Sequence, residues 1–199
     1  MGFDLMVLKK NLTKRGFHAY VCSDSQMAIS LITEKLLNEN DVIVGIGNSM
    51  SLNEIGLADK LSPRTVYKRN MAGSGEDERK ALLTDIYFTS ANAVSYDGQI
   101  VNIDGTGNRV AATCFGPKHV VFVIGKNKIA ETLELAIERA QNAAVALAKK
   151  YGRKTPCTVT DKCEHCLVPE CICAVTAIHR KNLYGNKISV VLIDEVLGL

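Results

Sequence analysis

Five of the chain's seven cysteines fall between positions 157 and 173. They are spaced Cys157-x5-Cys163-x2-Cys166-x4-Cys171-x-Cys173, with Pro156 and Pro169 flanking or interrupting the run, as in a loop wrapped round something. Thiols this crowded can form a disulfide framework, a zinc knot, the cradle of an iron–sulfur cluster, or a redox or nucleophilic site. Four thiolates satisfy either tetrahedral zinc or the irons of a 4Fe–4S cluster, and the Cys163-x2-Cys166 pair suits both. An odd total of cysteines without a secretion signal argues against a disulfide framework. His165, between two of the thiols, reads as an exposed loop histidine. Cys22 and Cys114 stand apart in apolar contexts and read as buried packing residues.

A second chemistry resides in two glycine loops. In "DVIVGIGNSMSLNEIG" an apolar strand runs through Gly45, Gly47, Asn48 and Ser49 into a helix, whose start a Ser51–Glu54 capping box would mark. Free amides at such a turn favour phosphate or carboxylate. The third glycine of a dinucleotide fingerprint and the Gly-Lys-Ser/Thr of a P-loop are both lacking. In "NIDGTGNRVAATCFGP" Asp104, Gly105, Gly107, Asn108 and Arg109 bring a carboxylate, an amide and a guanidinium together. Arg109 suits bidentate capture of an anion, with the amides around Asn48 and Ser49 as a second contact. Glu54 and Asp104 are the candidates for acid or base work. The structural alternatives are that Asp104 merely pairs with Arg109, that Asn108 caps the helix through Ala112, and that the first loop is a simple tight turn.

The elements that must position these residues alternate along the chain. Strand-like runs at 17–22, 41–47, 65–69, 85–90, 99–103 and 118–125 are interspersed with helix-like stretches at 25–37, 51–61, 76–84 and 130–150. Asp97-Gly98 is a turn signal between 85–90 and 99–103. "KHVVFVIG" (118–125) is unbroken apolar sequence of the kind buried on both faces of a parallel sheet. Leu133, Ala136, Ile137, Ala140, Ala144 and Leu147 recur at helical spacing, and Gly152 stands beyond them as a stop. Phe3, Met6, Val7 and Leu12 suit one face of an N-terminal helix. Runs at 174–180 and 187–195 look like a closing strand pair across Tyr184-Gly185-Asn186. The pattern predicts one α/β domain, a three-layer α/β/α stack round an open, mainly parallel sheet with both glycine loops at its C-terminal edge. Within residues 1–199 it divides into an N-terminal helix-strand-helix (1–40), a core with both loops (41–150), the Cys-rich segment (154–175) and closing strands (176–199).

Composition narrows the function. Hydrophobic residues make up 47 % and charged ones 23 %, as in a folded globular protein rather than a disordered chain. The formal net charge of +3 is dispersed, so a nucleic-acid surface is not expected. The densest basic run, 149–154, falls where the long helix ends and complements its dipole. No apolar run approaches the roughly 18–20 residues of a membrane span. The N-terminus lacks the apolar core and cleavage site of a signal peptide, which points to the cytoplasm, where thiols stay reduced.

"VGIGNSMSLNEIGL" and "DIYFTSANAVSYDGQIVNIDGTGNRVAATCFGPKHVVFVIGKNKI" closely resemble the LUD domain family, named for lactate utilisation. The resemblance runs from about Asp41 to the C-terminus, and "IVNIDGTGNRVAA…FGPKHVV" is its most specific stretch. It implies the fold group of ribose-5-phosphate isomerase, glucosamine-6-phosphate deaminase and the CoA transferases. It also implies a role near oxidation of lactate to pyruvate, beside iron–sulfur oxidoreductase partners. The family commonly has Gly-Gly-Ser where this chain has Gly47-Asn48-Ser49, and Thr-Gly where it has Thr89-Ser90. A short branch of the family resembles the cysteine tail, with thiols at Cys157, Cys163, Cys166 and Cys173, so the resemblance implies that these four are metal ligands and Cys171 an extra. A zinc ribbon normally brings two Cys-x2-Cys knuckles, whereas cube-type clusters often use an uneven set such as this.

Three functions follow as expectations. The first is a protein binding a small anionic ligand and carrying an iron–sulfur cluster, 4Fe–4S in type, with zinc as the alternative. The second is an isomerase, deaminase or acyl-transferase on a sugar-phosphate or CoA-like substrate. The third is a zinc-bound interaction module. All leave room for an oligomer.

Overall fold

A computed structural model describes residues 2–37, 41–68, 74–183 and 187–199. Its backbone is a six-stranded, wholly parallel sheet in the order β1 (His18–Cys22), β10 (Lys187–Ile193), β7 (His119–Gly125), β4 (Ile86–Thr89), β2 (Val44–Ile46), β3 (Val66–Lys68). Every residue of β7 is buried, as its unbroken apolar sequence predicts. The helices flank this sheet in an α/β/α arrangement, and α4 (Glu76–Ala81) sets Ala81 against Tyr87 of β4. On one face Ala28 and Ile32 of the segment α2 (Ser25–Leu31), which continues as a single π turn (Ile32–Leu36), pack with Leu52 of α3 (Met50–Glu54). On the other lie α1 (Leu5–Lys14) and a second, four-stranded sheet in the order β8 (Ile129–Ala130), β5 (Ala93–Ser95), β6 (Ile100–Asp104), β9 (Val175–His179).

The second sheet is absent from the sequence reading. Val94, Ile100 and Ile129 face Phe122 and Val190 of the large sheet. Ala93, Val101 and Ile103 face Ala136, Ala140 and Ala144 of the long helix α6 (Leu133–Lys150). Small side chains along α6 let it approach the sheet closely, and Gly152, at a φ of 62°, ends it as expected.

Several boundaries differ for local reasons. The expected closing strand pair does not form: β10 inserts between β1 and β7 of the large sheet, whereas β9 pairs antiparallel with β6. The turn at 184–186 lies outside the described residues. The stretch 51–61 is not one helix, because Gly56 at a φ of 65° separates α3 from a 3-10 turn at Leu57–Lys60. α1 buries Leu8 and Leu12, and leaves Met6 and Val7 exposed.

Strand order places the site. From β2 the chain moves outward to edge strand β3, then returns to β4 and continues to β7 and β10, so the winding reverses between β2 and β4. Ligand crevices in open α/β sheets form beyond the strand ends at such a reversal. Ile46 and Phe88 are register partners, so the Asn48–Ser49 and Ser90–Ala91 segments leave the sheet side by side. Beyond β7 a 3-10 turn (Lys126–Lys128) bends back over the same edge.

Candidate functional site

A cavity of ≈ 560 Å³ opens at that edge, within the size range of small-molecule sites. Asn48, Ser49, Ser90, Gly105, Asn108, Arg109 and Lys128 line it, so side chains following β2, β4, β6 and β7 meet in one space. The two glycine loops thus share a pocket. The second loop, however, follows a strand of the small sheet rather than of the large one.

Asp104 and Arg109 form a single unit. The Asp104 carboxylate accepts from the Gly105 amide at 3.1 Å and the Arg109 amide at 2.9 Å, which anchors the start of α5 (Asn108–Cys114). Arg109 Nε and Nη2 each donate to Asp104 Oδ1 at 3.3 Å, and Nη2 also donates to the Ile103 carbonyl at 2.7 Å. With its oxygens so engaged, Asp104 holds the arginine and the helix start rather than standing free as a base. Arg109 is thus a partly buried strut as well as a cavity-lining cation, and among the described residues its Nη1 forms no hydrogen bond.

Lys128 is the residue that sequence reasoning missed. Though lysine is rarely buried, this side chain is only 5 % exposed. Its Nζ donates to Ser51 Oγ at 2.7 Å and Ser90 Oγ at 2.9 Å. Those hydroxyls in turn donate to the Leu197 and Ala91 carbonyls. Among the described residues no carboxylate is in ion-pair contact with it. Burial first, then the Arg139 and Arg109 charges, bring its pKa down to about 7, against a smaller opposing effect of Glu54. "GKNKIA" reads as an ordinary polar turn, and only the fold of that turn over the sheet edge buries its second lysine.

Other candidates have structural duties. Ser49, not Ser51, caps α3, accepting from the Leu52 amide at 3.4 Å, so the expected capping box is not formed. Glu54 lies outside the cavity and accepts from the Gly198 amide at 2.6 Å. Gly45 and Gly47 do not line the pocket either. A Cβ on Gly45 would stand 2.6 Å from Tyr87 Cδ2, and one on Gly47 2.8 Å from the Tyr87 hydroxyl, so both make room for β4. Gly107, at a φ of 79°, supplies the left-handed residue that starts α5. Cys22 is buried as expected, but Cys114 is exposed, since α5 ends there and Phe115 beyond it stands in solvent.

The five clustered cysteines line one further cavity, of ≈ 20 Å³, floored by Ala144, Val145 and Ala148 of α6. Strand register brings them there. Asp104 pairs with Val175, so the residues leading into β9 run beside the loop that leaves β6. A Cβ on Gly105 would lie 3.3 Å from the Ile172 carbonyl. A short helix, α7 (Cys157–Thr160), carries the first thiol. Its Sγ lies 3.0 Å from Thr155 Oγ1, and the Lys149–Asp161 ion pair ties the segment to α6. Cys171 and Cys173 bring their sulfurs to 3.1 Å. Burial and the adjoining Cys171 sulfur both raise Cys173, so this pair retains a proton. His165 is exposed. Among the described residues no three His, Cys, Asp or Glu are drawn up as round a single metal ion. Ala144, Cys171 and Ile172 line both cavities and form a common wall.

The LUD domain family model matches residues 5–193 of the chain. Among solved structures, a DUF162 family protein from Deinococcus radiodurans is similar over 95 % of each chain, with a TM-score of 0.53 and 13 % identity, a likeness of fold. No curated protein matches. Among the described residues no helix is long and apolar enough to cross a membrane.

Proposed function

The chain belongs to the LUD domain family, and on that footing we propose that it binds a small carboxylate in the large cavity and carries a cysteine-ligated iron–sulfur cluster, 4Fe–4S in type, beside it. The setting is lactate- and pyruvate-linked redox metabolism in the cytoplasm, with iron–sulfur oxidoreductases as partners. The observation that carries this reading is the common wall: Cys171 and Ile172 face the ligand space on one side and the thiol cavity on the other. Arg109 supplies a cationic donor for the carboxylate, and the Ser90 hydroxyl and Asn108 amide supply polar orientation.

The donor chemistry fits a cluster. Five thiols over an apolar helix floor offer soft ligands in a dry setting. Cys157, Cys163, Cys166 and Cys173 would hold it, and a bound cluster supplies one-electron transfer. As formed, the cavity has room for about one water or ion, so loading must spread the 157–173 segment. Leu167 and Val159 are 99 % and 84 % exposed on this same segment, apolar contacts for a redox partner.

The test is metal analysis of anaerobically purified protein. We expect a brown chain with equal iron and acid-labile sulfide, bleached by chelators or air. Cys163→Ser should lose the iron and loosen residues 155–173 in hydrogen exchange while the sheet stays protected. Cys171→Ser should keep the metal. Colourless protein with stoichiometric zinc would replace the redox role with that of a docking module.

A further inference from the structure

The mechanism of ligand binding leaves the most unusual group of the cavity without a chemical role. Lys128 is a buried amine at the wall of a 560 Å³ space, held by two serine hydroxyls instead of a carboxylate. Because Ser51 and Ser90 direct their own protons to backbone carbonyls, both accept from the amine. A neutral amine in this arrangement donates both N–H groups to the serines and keeps its lone pair for the remaining tetrahedral position. The Arg139 and Arg109 guanidiniums oppose a further positive charge there, and Glu54 favours it with a smaller effect. A lysine desolvated beside other cations is an activated nucleophile toward carbonyl carbon. Arg109, on the same cavity wall, is placed to take a carboxylate.

We propose that Lys128 is a covalent capture site, its amine condensing with the carbonyl carbon of a short 2-oxo acid to form an imine. The proposal rests on the reading of the large cavity as a carboxylate site and adds to it the class of ligand. The nitrogen lone pair forms the C–N bond while the carbonyl π pair moves to oxygen, which takes up a proton as the nitrogen releases one. The hydroxyl then leaves as water with the nitrogen's remaining proton, and the nitrogen electron pair closes the C=N bond. Ser90, which both accepts from Nζ and lines the cavity, is the hydroxyl placed to relay these protons. No redox change occurs in this step.

Borohydride trapping with pyruvate tests it on the full chain. Hydride reduction of the imine should leave one stable adduct with the mass of the acid less one oxygen, located on Lys128 by peptide mapping. Trapping should increase as pH rises through about 7, the value to which burial brings this amine. Pyruvate should be trapped about tenfold or more faster than acetone, the gain of one charge-assisted contact for the carboxylate. Lys128→Met should abolish the adduct. Mapping the wild-type adduct gives the same answer even if that variant folds poorly. Saturable pyruvate binding by ligand-observed NMR without a Lys128 adduct would overturn the imine and leave the carboxylate site standing. Acetone and pyruvate trapped equally on Lys128 would instead remove the carboxylate site. Adducts scattered over surface lysines, with no saturable binding, would overturn both.

Discussion

Arg109 has two partners to lose. Its guanidinium braces Asp104 and the Ile103 carbonyl, and the side chains of the pair are only 15 % and 8 % exposed. Arg109→Ala should therefore destabilise the fold by about 1–3 kcal/mol, the usual cost of stranding a charged hydrogen-bond partner. Carboxylate affinity should fall about tenfold or more in the same variant. Arg109→Lys should recover neither in full, because an ammonium cannot bridge Asp104 and Ile103 as the planar fork does. Urea titration and ligand-observed NMR read the two effects separately. At this scale the sequence disclosed the pairing of Asp104 with Arg109, since both lie in one loop. It did not disclose Lys128, whose burial depends on a turn seated by residues far away in sequence.

His119 opens β7, and its position illustrates how an element carries a pH dependence. The ring is buried, and Nε2 lies 2.8 Å from Ser189 Oγ on the adjacent strand β10. Burial, then the charges of Lys187 and His18, lower its pKa from 6.5 to about 4. The unfolded chain thus binds more protons than the folded one between those two values. Stability should be fully present above pH 6.5 and decline as pH falls toward 4, by an amount on the order of 2–3 kcal/mol. Denaturant titrations at pH 7 and pH 5 should show this decline in the wild type and a smaller one in His119→Gln. Elements were legible where the period is long and clean, as in β7 and α6. They were not legible where length is short: β5 and β8 cover Ala93–Ser95 and Ile129–Ala130 and offer too few residues to show alternation. The misassigned pairing of β9 with β10 has a topological cause. Adjacent strands commonly pair, but β9 finds an open edge on β6, while β10, buried at every position after Lys187, lies between β1 and β7 of the parallel sheet.

For the molecule as a whole, the consequential feature is that two sheets place two cavities back to back. Both glycine loops and the cysteine cluster could be found in the sequence as separate chemistries. Their adjacency could not, because it arises from the Asp104–Val175 register between strands more than sixty residues apart. If ligand and cluster share the wall at Cys171 and Ile172, occupancy of one side must be felt on the other. The direct measurement is electron paramagnetic resonance of the anaerobically reduced protein, recorded with and without saturating pyruvate. A cluster spectrum whose g-values or relaxation shift on addition of pyruvate, with the shift lost in Arg109→Ala, is the predicted result. Identical spectra, with pyruvate shown to be bound in the same sample, would contradict the coupling of the two sites.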